Sequence, residues 1–277
     1  METRVNYVKD KVVIITGASG GFGLLAANRI AQLGGKPILA ARNEEKLKAA
    51  VEAIKAEYGE AAYIVTDVST RADVFNMVKF AVDTYGRVDV LVNNAGTMPL
   101  GYFGQHADAL DKWEECLDIS LKGTLYGICA VYDQMMLQGK GQVINVSSIY
   151  GNYPLAGAGV YQVAKMGVQY LADSLRSECQ GKIKVSTIKP TGFTRTGLMA
   201  TVVDPMAGGD ISSDLIGMGD MYENMMARQD YHDINSITYC DPDPQILADN
   251  IVYLIDQPWG VNVSDITVRA AGDFFAI

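Results

Sequence analysis

The sequence predicts a doubly wound α/β fold, in which helices cover both faces of one parallel sheet. Short runs of β-branched and other apolar residues alternate along the chain with longer segments of helical periodicity. The short runs are apolar at almost every position, which is typical of strands buried on both faces. No linker or internal repeat divides the 277 residues. We therefore expect a single domain over residues 1–277.

The elements follow one another in a regular order. Strands are predicted at 12–16, 37–41, 61–66, 88–92, 142–147, 183–188 and 265–268. Helices are predicted at 21–33, 43–58, 70–85, 108–137, 160–179 and 244–256. Asn43 is suited to cap the second helix, because its side chain can accept a hydrogen bond from a backbone N–H of the first turn. Glu44 and Glu45 then lie where the helix dipole favours negative charge.

One segment, at about 197–240, breaks this regularity. It holds Gly208, Gly209, Gly217 and Gly219 and six of the 12 methionines, which are Met199, Met206, Met218, Met221, Met225 and Met226. A long irregular insertion in a compact domain is usually functional or disordered. We name residues 197–240 the predicted lid.

Composition narrows the classes of partner. The net charge of −9 disfavours attraction to nucleic acid or to an anionic membrane. The four cysteines are widely spaced, and no Cys/His cluster has metal-ligand spacing, so we expect free thiols and no metal site. No targeting segment or membrane span is visible, which favours a cytoplasmic location and no membrane partner.

The first strand leads directly into a glycine-rich loop and then into a helix. Such a loop allows the backbone to approach a ligand closely, and the helix N-terminus offers unpaired N–H groups to a pyrophosphate. A structural tight turn is the alternative, but the strand–turn–helix context favours the cofactor site. The candidate residues are Gly17, Ser19, Gly20, Gly21, Phe22 and Gly23.

The end of the second strand predicts which nicotinamide cofactor binds. NAD-binding proteins usually place a carboxylate there for the ribose 2′-hydroxyl. Here Ala41 is followed by Arg42 and Asn43. Arg42 can form charge-assisted hydrogen bonds with a 2′-phosphate, so NADP(H) is predicted over NAD(H). A solvated arginine at a helix start is the alternative.

Several motifs occur in an order that resembles the single-domain short-chain dehydrogenase/reductase family, which has a Rossmann-type fold. The T-G-x3-G-x-G motif comprises Thr16, Gly17, Gly21 and Gly23, and N-N-A-G runs from Asn93 to Gly96. A serine at the end of strand five, Ser148, precedes a Y-x-x-x-K motif formed by Tyr161 and Lys165. The resemblance covers nearly the whole chain.

The resemblance implies a hydride transfer in which Tyr161 donates or accepts the proton. Lys165 follows at i+4, so both side chains share a helix face, and its charge is expected to lower the tyrosine pKa. The resemblance also implies that Lys165 holds the nicotinamide ribose and that Ser148 bonds the substrate oxygen. A surface Tyr/Lys pair on an amphipathic helix is the alternative.

Further cofactor positions follow from the resemblance alone. Asp67 and Val68 match the adenine contact, and Asn94, Ala95 and Gly96 match the adenosine side. The loop after strand six matches the nicotinamide contact with Pro190, Gly192, Thr194 and Thr196. Thr191 looks inserted in this loop, which leaves open whether Thr194 or Thr196 reaches the nicotinamide amide.

Ser120 stands where the family commonly has an asparagine that supports a proton relay. The relay uses the backbone carbonyl of that residue, so we expect Ser120 to take the same catalytic part. The family often pairs helices between subunits, which implies a homodimer or homotetramer.

The motifs together predict an NADP(H)-dependent oxidoreductase that interconverts a carbonyl and a secondary alcohol. A noncatalytic NADP-binding sensor or scaffold and a lyase or epimerase are the alternatives. The predicted lid suggests a bulky apolar substrate, such as a steroid, a bile acid or a terpenoid, because methionines adapt to irregular ligands. Its methionines could instead pack the segment onto the body or a partner subunit.

Overall fold

The structure is a computed structural model that describes residues 5–193, 195–205, 207 and 227–273. Its seven strands are β1 (Val12–Thr16), β2 (Lys36–Ala41), β3 (Ala62–Val65), β4 (Val90–Asn93), β5 (Gly141–Val146), β6 (Ile183–Pro190) and β7 (Asp265–Val268). They form one parallel sheet in the order β3-β2-β1-β4-β5-β6-β7. The predicted doubly wound fold is confirmed, although β4 begins at Val90 rather than Val88 and β6 continues to Pro190.

Helices lie on both faces of the sheet. They are α1 (Gly21–Gln32), α2 (Glu44–Tyr58), α3 (Arg71–Tyr85), α4 (His106–Cys116), α5 (Gly123–Gln138), α6 (Gly159–Glu178) and α7 (Pro244–Ile255). Alternate residues of β1 divide between the faces, since side chains of a strand point in opposite directions at successive positions. Val13 and Ile15 pack in the core beneath α1, α2 and α7. Val12 and Ile14 pack in the core beneath α3, α5 and α6.

The long helix predicted at 108–137 is interrupted. A π-helical turn, Leu117–Lys122, separates α4 from α5. The hydroxyl of Thr124, in the first turn of α5, donates to the carbonyl oxygen of Ser120 in this turn over 2.8 Å. A threonine hydroxyl that bonds the carbonyl four residues earlier competes with the helical N–H for that oxygen.

Strand order reverses between β1 and β4, which are neighbours in the sheet although β2 and β3 intervene in sequence. The chain leaves β1 toward one face, through α1, and leaves β4 toward the other face, through α4 and α5. Such a reversal opens a crevice beyond the carboxyl ends of the strands. Every functional motif of the sequence analysis that follows a strand therefore lies at this edge.

The predicted lid is described only near its ends. Short 3₁₀ turns occupy Gly197–Thr201 and Gln229–Tyr231. Five of its six methionines, Met206, Met218, Met221, Met225 and Met226, lie outside the described residues, as do Gly208, Gly209, Gly217 and Gly219. Among the described helices, none is both long enough and apolar enough to cross a membrane.

Candidate active site and cofactor crevice

A crevice of about 430 Å³ runs along the carboxyl edge of the sheet. Most of the residues predicted from the sequence line it. These are Gly17, Ser19, Gly20, Gly21, Phe22, Arg42, Asn43, Asp67, Val68, Asn94, Ala95, Gly96, Tyr161, Lys165, Pro190 and Thr196. Gly23, Ser120, Ser148 and Gly192 are not among the residues that line the crevice, and Thr194 lies outside the described residues.

The N-terminus of α1 faces the crevice without a side-chain cap. Its N-cap residue is Gly20, which supplies no capping hydrogen bond, and its first turn holds no acidic residue. The second helix differs, because Asn43 accepts a hydrogen bond from the backbone N–H of Lys46 over 2.9 Å. A Cβ on Gly20 would meet no atom within 4 Å. The uncapped N–H groups and the open space suit a pyrophosphate.

Close packing between two loops explains the other glycines. The side-chain amide of Asn94 donates to the carbonyl oxygen of Thr16 over 2.8 Å. A Cβ on Gly23 would lie 2.8 Å from the amide nitrogen of Asn94, and one on Gly17 would lie 2.9 Å from the Cα of Ala95. Gly17 also has a φ of 66°, which disfavours other residues. Asn94 therefore shapes the loop by bonding its backbone.

The end of the crevice at Arg42 carries opposed charges. The guanidinium of Arg42 pairs with the carboxylate of Glu115 on α4, with 3.3 Å between nitrogen and oxygen. Burial acts to raise the pKa of Asp67, but hydrogen bonds from Ser69 and the charge of Arg42 hold that pKa below its usual value. Lys46, in the first turn of α2, also lines the crevice.

Ser148, Tyr161 and Lys165 come together at the other end, and all three are buried. Ser148 caps the short helical turn Ile149–Gly151 by accepting from the backbone N–H of Tyr150 over 3.2 Å, and its side chain forms a hydrogen bond with Tyr161. The ammonium nitrogen of Lys165 lies 5.7 Å from the centre of the Tyr161 ring and donates to the carbonyl oxygen of Val146 over 2.9 Å. The spacing of the Y-x-x-x-K motif on α6 thus brings both groups to one side of the helix.

Burial dominates the titration of this pair. It raises the pKa of Tyr161, against the smaller effect of the hydrogen bond with Ser148. Burial also lowers the pKa of Lys165 to about 8. The expected lowering of the tyrosine pKa by Lys165 is absent here, because desolvation of the phenolate outweighs the other influences on Tyr161.

Ser120 lies in the π-helical turn at the base of the crevice. Its hydroxyl accepts from the backbone N–H of Thr97 over 3.4 Å, and its carbonyl oxygen accepts from Thr124. A Cβ on Gly96 would lie 3.3 Å from the Ser120 hydroxyl and 3.4 Å from the nitrogen of Lys165. Gly96 therefore keeps open the space between Ser120 and Lys165, where a Cβ would crowd both.

The loop after β6 is turned by two contacts with distant parts of the chain. The hydroxyl of Thr191 donates to the buried carboxylate of Asp273. Gly192 has a φ of 70°, and a Cβ there would lie 3.3 Å from the carbonyl oxygen of Cys240. Thr191 is thus held against Asp273, while Pro190 and Thr196 face the crevice.

The family model described as short chain dehydrogenase matches residues 11–207. The chain belongs to this family. It is similar to an uncharacterised oxidoreductase of Listeria innocua, with 36% identity over 264 residues that cover 94% of this chain and 96% of the relative. An uncharacterised oxidoreductase of Listeria monocytogenes is 37% identical over the same length, with the same coverage.

Two solved structures resemble the fold over nearly all of its length. An alcohol dehydrogenase from the archaeon Thermococcus sibiricus, complexed with 5-hydroxy-NADP, superposes with a TM-score of 0.76 at 22% identity. The superposition covers 96% of this chain and 98% of the archaeal chain. A metagenomic short-chain oxidoreductase in complex with NADP gives a TM-score of 0.70 at 27% identity, covering 95% and 98%. The chain is an oxidoreductase of this family, and a nicotinamide cofactor is supported.

Several residues that line the crevice of this short chain dehydrogenase are not predicted by the sequence patterns. They are Ala41, Lys46, Thr66, Thr97, Ile119, Val146, Ser147, Gly197 and Leu198. Lys46 had a usable signal, since it lies in the first turn of the helix that Asn43 caps and is close in sequence to Arg42. Glu115 had none, because its ion pair with Arg42 joins residues far apart in sequence.

The depressed pKa of Lys165 predicts a pH-dependent stability difference from Lys165→Met without nucleotide. The unfolded chain keeps the lysine proton up to about pH 10.5, whereas the folded chain loses it at about pH 8. Between these values the unfolded state binds more protons, so wild-type stability rises relative to the variant as pH rises, by on the order of 3 kcal/mol. Urea unfolding from pH 7 to pH 10.5 measures the difference. A constant difference across this range would contradict the assignment.

Proposed function

We propose that this chain is an NADP(H)-dependent oxidoreductase that interconverts a carbonyl and a secondary alcohol. One observation carries the proposal. Ser148, Tyr161 and Lys165 form a buried group at one end of the crevice, and Arg42 lies at the other end. The uncapped N-terminus of α1 lies between them. This arrangement suits an extended dinucleotide with its reactive ring beside the tyrosine.

The described residues fit such a cofactor. The N–H groups at the start of α1 would hold the pyrophosphate, and Arg42 with Lys46 would hold the 2′-phosphate. Asp67 and Val68 would flank the adenine, and Lys165 would hold the nicotinamide ribose. When bound, the nicotinamide supplies or accepts the hydride. Pro190 and Thr196 would flank its carboxamide, since they line the crevice there.

The chain's own part in the reaction is the movement of one proton. In the reductive direction the hydroxyl of Tyr161 donates its proton to the carbonyl oxygen, and its raised pKa keeps it protonated at neutral pH. Ser148 holds the same oxygen through its hydroxyl and stabilises the charge that develops there. In the oxidative direction Tyr161 must lose its proton against the cost of a buried phenolate, and a protonated Lys165 beside the ring would oppose that cost.

The choice of NADP(H) rests on Arg42, which follows β2 where a carboxylate would favour NAD(H). Glu44 and Glu45 follow Arg42 closely in sequence, and Glu44 points away from it. Glu44 accepts a hydrogen bond from the hydroxyl of Tyr63, over 3.4 Å, and so is drawn toward β3. The guanidinium of Arg42 and the ammonium of Lys46 line the crevice where a 2′-phosphate would bind.

The proposed substrate is bulky and largely apolar. Tyr161 belongs to an apolar cluster at the catalytic end of the crevice, which includes Met98, Leu100, Ile149 and Tyr150, and Leu198, Met199 and Val202 pack against it. The first part of the predicted lid therefore contributes apolar side chains beside the catalytic tyrosine.

The single domain, the lid, the cytoplasmic location and the homodimer or homotetramer stay predictions.

Tyr161→Phe should lower kcat by roughly 10²–10⁴-fold, because a positioned general acid contributes about that factor. The dissociation constant for NADPH should change little. Tyr170→Phe is the matched control, since Tyr170 lies on the same helix and its side chain is exposed. Steady-state kinetics and NADPH fluorescence titration measure both. Near-normal kcat in folded Tyr161→Phe would remove the tyrosine from the mechanism.

Arg42→Asp should shift the ratio of kcat/KM values from NADPH toward NADH by at least roughly tenfold, because each charge-assisted hydrogen bond to a phosphate contributes about 1.5–3 kcal/mol. Arg71→Asp makes the same charge change on an exposed residue at the start of α3 and should leave the ratio unchanged. A wild-type preference for NADH would refute the proposed cofactor.

Multi-ring ketones should give higher kcat/KM with NADPH than small polar carbonyls such as sugars and short keto acids. Their apolar area would be buried against the cluster around Tyr161, at about 25 cal/mol per Å². A panel of both substrate sets, with both nicotinamides and the reverse alcohols, measures this. Preference for the polar set would overturn the substrate class, whereas NADPH binding without any turnover would favour the noncatalytic alternative.

A further inference from the structure

The ion pair between Arg42 and Glu115 is formed at the place where a 2′-phosphate would bind. Both side chains border solvent, with 63% and 49% of their surface exposed, and the pair spans from the end of β2 to the end of α4. A phosphate approaching Arg42 therefore meets a carboxylate already bonded to the same guanidinium. The carboxylate and the phosphate carry like charges, so they repel each other.

The position of Glu115 is fixed by its neighbours on α4. The indole N–H of Trp113 donates to the carbonyl oxygen of Pro99 over 2.9 Å. The thiol of Cys116, which is fully buried, donates to the carbonyl oxygen of Thr97 over 3.4 Å. These contacts anchor the last turn of α4 to the loop after β4. These contacts oppose a shift of the Glu115 backbone, whereas its exposed side chain can turn away from Arg42.

A second carboxylate, that of Asp67, also interacts with Arg42. Asp67, at the end of β3, also acts electrostatically on Arg42 and lines the same crevice. Two carboxylates thus share the charge of Arg42, and Lys46 is the further cation of this corner among the crevice-lining residues described. The positive potential that would attract a 2′-phosphate is lower than Arg42 and Lys46 alone would give.

We propose that Glu115 is a specificity-determining residue that weakens the binding of 2′-phosphorylated nucleotides by holding Arg42. The inference rests on the proposed assignment of Arg42 to the 2′-phosphate. Glu115 thereby keeps the preference for NADP(H) over NAD(H) moderate. A nucleotide without the 2′-phosphate places no charge beside Glu115 and does not compete for Arg42, so its affinity does not depend on this residue.

Isothermal titration of 2′,5′-ADP and 5′-AMP tests the proposal without turnover. Glu115→Gln keeps the size of the side chain and removes its charge. It should tighten the binding of 2′,5′-ADP by roughly three- to tenfold, as expected for the loss of one exposed like charge and one exposed ion pair. The dissociation constant of 5′-AMP should change less than about twofold. Glu114→Gln, the same change on the preceding exposed residue, should alter neither constant.

Combination with Arg42→Met separates a direct effect from one exerted through Arg42. In that background Glu115→Gln should no longer tighten 2′,5′-ADP binding, whereas a persistent gain would show simple repulsion and overturn the proposed role. Equal effects on both nucleotides, no effect, or weaker 2′,5′-ADP binding in Glu115→Gln would also overturn it. Failure of the proposed cofactor looks different, because the wild-type chain would then bind 5′-AMP as tightly as 2′,5′-ADP.

Discussion

The hydrogen bonds between the carboxyl ends of β1 and β4 hold the rest of the site together. Asn94 donates from its side chain to Thr16, and the hydroxyl of Thr16 accepts from the backbone N–H groups of Asn94 and Ala95 over 3.0 and 3.1 Å. Strand order reverses at this point, so the two loops would otherwise diverge. The glycine loop and the N-terminus of α1 take their positions from this junction, and so does the space in front of Gly96.

The catalytic end depends on a second constraint, the burial of Lys165. A buried cation is costly unless its donors are satisfied, and here the carbonyl oxygen of Val146 accepts from it. That bond also fixes the ammonium against the end of β5, close to Tyr161. Desolvation thus moves the two pKa values apart, which leaves a protonated phenol beside an amine of reduced basicity.

Local patterns predicted much of the fold and of the site. The alternation of strands and helices, the cap at Asn43 and the i+4 spacing of Tyr161 and Lys165 are each set by neighbouring residues. Such patterns did not predict the ion pair of Glu115 with Arg42 or the hydrogen bond of Thr191 with Asp273. They also did not predict that the pKa of Tyr161 is raised. Each arises from packing between segments distant in sequence, or from a desolvation that depends on the whole enclosure.

The π-helical turn sets the rotational phase of α5. Successive residues of an α-helix differ by about 100° about its axis, so one residue more or less in the turn rotates everything after it. Gly123 packs where a Cβ would lie 3.0 Å from Val68, and Gly127 packs where a Cβ would collide with Asn93. A change of length between Leu117 and Lys122 would therefore rotate Gly123 and Gly127 away from Val68 and Asn93. Larger side chains of α5 would then face these two residues, where there is no room for a Cβ. Substitutions within the turn preserve this alignment, whereas insertions and deletions do not.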